Sequence, residues 1–347
     1  MKERQQNFEL LRIIAMFMIV IFHAITYCVI EYELPITGLN DLLLTVLRAI
    51  IYVSVNVFII ITGYFSVNTK QLKLRKVVNT AAMPGFFSAI LLAMLMVVGI
   101  EEFNFWHIIG KLFATFRGEY WFISNYFALY LFIPFLNKII HTMNKKEYQH
   151  FLFLSALVGV VWPFFVINQQ IISINSGFSL IFFMYLYFVG SYIRLHGAFI
   201  KDFTLNHYLL GYLTLALITG FLQYSLPDVD FLNYNGPFEF IMSYCIFMYF
   251  RQIKLKSVRI NTIAAYTLSV YLVHEQSEVR EFIWNLPIIH QIIQWSPITF
   301  IPAIIFVAVL VFTVSWMIGY LLTNLYSKLE QGMFHLFKVK DGSPTIE

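Results

Sequence analysis

The chain has 347 residues, of which 59% are hydrophobic and only 12% charged, with a mean hydropathy of +0.73. Soluble domains carry about a quarter charged residues, so this composition excludes a soluble globular domain and predicts a polytopic membrane protein. The net charge of +4 sits in short basic links between apolar runs, which points to membrane orientation and excludes a nucleic-acid surface as its cause.

A span needs about 20 apolar residues, and ten candidate spans follow along the chain: 9–30, 43–66, 77–99, 121–140, 150–168, 177–195, 206–225, 235–251, 261–284 and 299–325. The predicted fold is therefore an all-α membrane bundle of about ten transmembrane helices. Alternate connections hold 18 of the 23 Lys and Arg, from Lys2 and Arg4 through Lys70, Lys73, Arg75 and Lys76 to Lys328, Lys338 and Lys340. The opposite connections hold Glu31, Glu33, Glu101, Glu102, Asp228 and Asp230. By the positive-inside rule both termini are expected in the cytoplasm. Lys2 and Arg4 before an apolar run imitate a signal peptide, but Glu9 and Arg12 interrupt that run and no small-residue cleavage site follows, so a retained first span is expected. Residues 1–326 read as one transmembrane domain and 327–347 as a short cytoplasmic tail. Cys28 and Cys245 fall in apolar segments and are read as packing residues, with no metal site assigned. Between the third and fourth spans, Phe103, Phe105, Trp106, Ile109, Leu112, Phe113 and Phe116 recur at roughly helical spacing. This segment, 100–119, is expected to be an amphipathic helix lying at the outer surface, as an interfacial anchor or a cap over a cavity.

Ionisable groups inside spans are costly and are functional hypotheses by default. In the first span Arg12 and His23 lie eleven positions apart, which puts them about 20° apart on one face and about 16 Å apart along the axis. Two readings are open for each: Arg12 as a snorkelling side chain or an anion ligand, and His23 as a hydrogen-bonded core residue or a base in a cavity. In the ninth span the uninterrupted apolar run, 263–273, is only about half a crossing. The helix is expected to continue through His274, Glu275, Glu278, Arg280 and Glu281 toward protein or water, with His274, Glu278 and Glu281 on one face and His274 serving as a proton relay or a structural hydrogen-bond partner. Thr62, Gly63 and Tyr64 mark a close approach of helix or ligand. Tyr120 and Trp121 open the fourth span as an aromatic belt, while Arg48 and Arg117 are candidate anion or hydroxyl contacts or ordinary ion-pair partners.

A neutral histidine in a low-dielectric cavity suits removal of a proton from a hydroxyl, and an arginine below it suits phosphate. Together they suggest transfer of an acyl group from a phosphate-bearing donor. No G-x-S-x-G, His-Glu-x-x-His or glycine-rich phosphate loop occurs. Buried histidines with carboxylates also fit a proton-coupled transporter or flippase for polysaccharide intermediates; inverted repeats with broken helices, frequent in that class, are not visible in the sequence. A third class is a polymerase or structural partner of a synthase complex.

The stretch ELLRIIAMFMIVIFH at 9–23, with TGYFS at 62–66, YWFI at 120–123 and YLVHE at 271–275, resembles the acyltransferase-3 family of integral-membrane O-acyltransferases, and its opening resembles the bacterial surface and exopolysaccharide O-acetyltransferases. The resemblance runs over about residues 7–325. It implies acetyl-CoA or another acyl-CoA as co-substrate with no permanently bound cofactor, a sugar hydroxyl on a lipid-linked or growing polysaccharide as acceptor, polysaccharide synthase or export machinery as a further partner, and a multi-pass place in the bacterial plasma membrane. His23, His274 and Glu275 are then catalytic. Glu9, Arg12, Thr62, Gly63 and Tyr64 bind the donor, and Arg48, Arg117, Tyr120, Trp121, Tyr271, Glu278 and Arg280 the acceptor. Two departures are Tyr64, where the family has phenylalanine, and the lack of an SGNH-type hydrolase domain after the spans, so that transfer to the acceptor is expected within the membrane domain itself.

Overall fold

The computed structural model describes residues 5–31, 33, 36–165, 175–293 and 299–336. Among these every regular element is helical. In chain order they are α1 (Gln6–Ile25), continued by a π-helical turn (Thr26–Ile30), α2 (Leu39–Ile51), α3 (Ser54–Ser66), α4 (Leu74–Val97), α5 (Phe105–Lys111), α6 (Ala114–Arg117), α7 (Trp121–Thr142) and α8 (Lys145–Ala156). A second π-turn (Leu157–Val161) leads to α9 (Trp162–Phe165); α10 (Leu180–His196), α11 (Leu205–Ser225), α12 (Pro237–Gln252), α13 (Val258–Ala264), α14 (Thr267–His274), α15 (Ser277–Trp284), α16 (Pro287–Ile293) and α17 (Phe300–Leu336) follow. Among the described residues, seven helical segments are long and apolar enough to cross a membrane. The other three expected spans are the 17-residue α10, the 16-residue α12 and the interrupted series α13 to α15. Lys2, Arg4, Lys338 and Lys340 lie outside the described residues, as does most of the 327–347 segment; α17 itself runs on to Leu336.

α1 is the central helix, packed against α2, α3, α12, α13, α14 and α17. Its buried face includes Phe8, Leu11, Ala15, Val20 and Ala24. Around it the helices approach at small residues. A Cβ on Gly63 would strike the Tyr187 carbonyl of α10, and one on Gly190 would strike the Ile60 carbonyl of α3, so α3 and α10 meet backbone to backbone. Gly220 of α11 sits on Val46 of α2 in the same way. On the periphery, Phe306, Leu310, Val314 and Leu321 of α17 and Leu210, Leu217 and Phe221 of α11 are exposed. Such an apolar rim suits lipid, which replaces the water a soluble protein would face.

Two expectations need correction. Residues 100–119 do not lie flat on the outer surface: the segment turns back into the bundle and meets α4 well along its length. The Thr115 hydroxyl donates to the Ala81 carbonyl at 2.9 Å, and the Leu112 carbonyl rests on Gly85, the eighth and twelfth residues of the 24-residue α4. At about 1.5 Å per residue these points lie about 10 and 16 Å from the start of α4. The segment is thus re-entrant, with Phe103, Trp106, Phe113 and Phe116 exposed on its outer face and Lys111 buried beneath. Backbone can leave the helical ladder at that depth only where protein or a wet cavity satisfies it.

The ninth span is likewise not one helix. α14 ends at His274 with Glu275 as its C-cap, Gln276 leaves the helical path, and the Gln276 side chain caps α15 by accepting the Val279 amide at 2.8 Å. Consequently His274, Glu278 and Glu281 do not share a face, and broken helices, which the sequence pattern hid, are present. The cause is local: an apolar run half a crossing long cannot carry a continuous helix into the charged residues that follow it.

Candidate active site

α1 and α14 bring two imidazoles into contact. His23 Nδ1 lies 2.9 Å from His274 Nε2, and His274 Nδ1 lies 2.6 Å from the Val270 carbonyl. A carbonyl only accepts, so His274 Nδ1 carries its proton and Nε2 is the acceptor. His23 Nδ1 is then the donor of the pair. The neutral His23 therefore keeps its lone pair on Nε2, the nitrogen without a partner among the described residues.

Glu275 completes the group from the break after α14. Its Oε2 stands 3.1 Å from His23 Nδ1, while Oε1 accepts from the Tyr27 hydroxyl and from Arg280, both at 3.0 Å. Arg280 also lies 5.2 Å over the Tyr27 ring, which stacks on Trp284. Tyr27, four residues beyond His23 and within the π-turn that continues α1, lies on the same side of the helix. His23, His274 and Glu275 each present a ligand-type atom within 4.8 Å of the others, the count a small metal site requires. Two nitrogens bound to one tetrahedral zinc stand about 3.3 Å apart, whereas the 2.9 Å separation here is that of a shared proton.

A cavity of about 700 Å³ runs past this group. Arg12, Thr62, Lys76, Asn79 and Thr80 line one end; His23, Thr26, Tyr27, Tyr271 and Glu275 the middle; Glu119, Trp121, Phe178, Tyr234 and Arg280 the other. Pro84 lines it too, and its missing N–H frees the Thr80 carbonyl one turn earlier in α4. Arg12 pairs with Glu9 in the first turn of α1 and lies 5.9 Å over the Phe65 ring; Lys76 lies 4.6 Å over the Tyr130 ring.

Of the residues singled out in the sequence, Arg12, His23, Thr62, Trp121, Tyr271, Glu275 and Arg280 share this cavity. His274 is fully buried behind His23 and does not reach the wall. Glu9 stands beside Arg12, outside the lining. Gly63 and Tyr64 face α10: Gly63 is a contact point for its backbone, and the Tyr64 hydroxyl accepts from Arg194 at 3.3 Å. Tyr120 is a strut, donating from its hydroxyl to the Leu272 carbonyl at 2.9 Å. Glu278 pairs with Lys111 at 2.8 Å and His107 at 3.3 Å, tying the re-entrant segment to α15. Arg117 lies against Gly110, and Arg48 sits in α2 away from the cavity with Nε unpaired among the described residues. The sequence reading missed Tyr27, which its spacing of four from His23 would have flagged, and Lys76, which it had assigned only to orientation. Tyr234 and Phe178 carry no local signal, since only folding brings their loops to the cavity. Cys28 and Cys245 are both free thiols.

No curated protein and no solved structure matches the chain. The model of a family of membrane acyltransferases, described as "Acyltransferase domain", matches residues 5–320, a stretch that takes in α1, the cavity and His23, His274 and Glu275. The chain belongs to this acyltransferase-3 family.

Proposed function

We propose that the protein is an O-acyltransferase moving an acetyl or other acyl group from acyl-CoA to a sugar hydroxyl of a bacterial cell-surface or exopolysaccharide. The observation that carries this reading is the single cavity that joins a basic, polar end to a histidine with one free nitrogen. Arg12 and Lys76 suit the phosphates of the donor, as a cation-lined mouth would. His23 Nε2 takes the acceptor proton as the hydroxyl oxygen attacks the thioester carbonyl. The imidazolium so formed is stabilised by the Glu275 carboxylate at Nδ1, which Tyr27 and Arg280 hold in place. His274 positions His23 from behind. Trp121, Phe178 and Tyr234 pack ring to ring at the far end, with centroids 4.5 to 5.9 Å apart, and offer apolar faces on which a sugar can stack.

We further infer ten crossings with both termini in the cytoplasm and the protein in the bacterial plasma membrane, α10, α12 and the interrupted series α13 to α15 crossing as short or broken segments. Labelled acetyl-CoA supplied to proteoliposomes with an acceptor glycan should yield labelled glycan. His23→Ala should lower the rate by roughly 10² to 10⁴; unchanged transfer by a folded His23→Ala protein would overturn the mechanism.

A further inference from the structure

The start of α7 is a buried helix terminus with no capping group among the described residues. Its N-cap residue Tyr120 is fully buried and makes no side-chain cap, and the helical ladder opens only with the Ser124 amide donating to the Tyr120 carbonyl at 3.0 Å. The amides of Trp121, Phe122 and Ile123 therefore have no intrahelical acceptor. Buried helix ends are ordinarily satisfied by a side chain or by water. Here all three residues line the cavity that His23 lines. Glu119, the acidic residue beside this terminus in sequence, does not serve it: its Oε1 receives Ser88 at 2.7 Å, Lys111 at 3.0 Å and Ser277 at 3.1 Å.

A second observation points to the same spot. The Tyr271 hydroxyl is buried without a hydrogen-bond partner among the described residues, although the side chain lines the cavity. Its ring meets Phe122 edge-on at 6.1 Å and stands 6.5 Å from the His23 ring. The Phe122 amide bears on that hydroxyl from the first turn of α7. The strut from Tyr120 to the Leu272 carbonyl locks α7 to α14 at the residue next to Tyr271. Unpaired amides, the positive end of a 22-residue helix and an unpaired hydroxyl thus converge beside the base.

We propose that the first-turn amides of α7 and the Tyr271 hydroxyl form the oxyanion hole of the acyl transfer. The proposal rests on the thioester reading above. As the acceptor oxygen bonds to the carbonyl carbon and its proton passes to His23 Nε2, the carbonyl π pair moves onto the carbonyl oxygen, which these donors hold. The oxyanion then collapses, the carbon–sulfur bond breaks, and the thiolate leaves with the proton from His23. The acyl ester and the free thiol are the products, and no further reactant is needed.

Tyr271→Phe keeps the ring and deletes only the donor. It should lower kcat by roughly 10²-fold, the cost of one oxyanion donor, while leaving both KM values, the thermal midpoint and the affinity for an acyl-CoA thioether lacking the carbonyl oxygen unchanged. Trp121→Pro removes the first amide at N1, the helix position that tolerates proline. It should lie roughly tenfold below Trp121→Ala in kcat. A wild-type protein that transfers acetyl while Tyr271→Phe stays within roughly threefold of it would overturn the proposal and leave the donor reading intact. Absence of transfer by the wild-type protein would overturn both.

Discussion

His23 shows how a fold chooses between the nitrogens of one imidazole. The Val270 carbonyl fixes the tautomer of His274, and His274 in turn fixes that of His23, so the basic lone pair is aimed at the cavity by two hydrogen bonds in series. Glu275 adds a charge that matters only once His23 is protonated. Glu275→Gln retains the shape and an acceptor for Tyr27 and Arg280 but removes that charge. We expect it to lower kcat by roughly 10²-fold with the donor KM unchanged, a split that steady-state kinetics with varied acyl-CoA will measure. Arg12 and His23 were legible in the sequence because a charge in a long apolar run is a costly anomaly. Tyr27 was legible only through its spacing of four from His23, and Lys76 was not, because a lysine in a basic link between spans has an ordinary explanation there.

At the scale of elements, packing and chemistry use different devices. Gly63 and Gly190 serve the contact between α3 and α10, and a side chain at either has backbone in its way. Gly63→Val should therefore cost on the order of 1–3 kcal/mol through overpacking, seen as a lower thermal midpoint in detergent. Gly332→Ala, with open space around it, should leave the midpoint unchanged or slightly raise it. Gly85→Val should push the re-entrant segment outward and reduce activity along with stability, since Gly118 and Glu119 behind it line the cavity. The broken elements sit around the proposed site: α14 stops at Glu275, α1 passes into a π-turn after His23, and α7 begins inside the bundle. Periodicity located these segments yet not their interruptions, because an apolar run reads the same whether or not its backbone changes direction within it.

The whole molecule joins these parts through one cavity with a polar, cationic end and an aromatic one. Its orientation is open to direct measurement. In a protein with Cys28 and Cys245 replaced, a cysteine at the exposed Asn68, between α3 and α4, should react with a membrane-impermeant thiol reagent only from the cytoplasmic side. One at the exposed Asp228, between α11 and α12, should react only from the outside. The reverse pattern would invert the proposed direction of transfer from donor to acceptor. By itself the sequence determined the membrane class, the helical architecture and two anomalous residues on one face of α1, because hydropathy, charge placement and helical period are local properties that the bilayer enforces along the chain. Only the tertiary structure decided which of the other polar residues meet them. The contacts of His23 with His274 and Glu275 span some 250 positions, and the uncapped start of α7 faces them only because α4, the re-entrant segment and α14 hold it there. Such encounters depend on packing between distant segments, which no local pattern records.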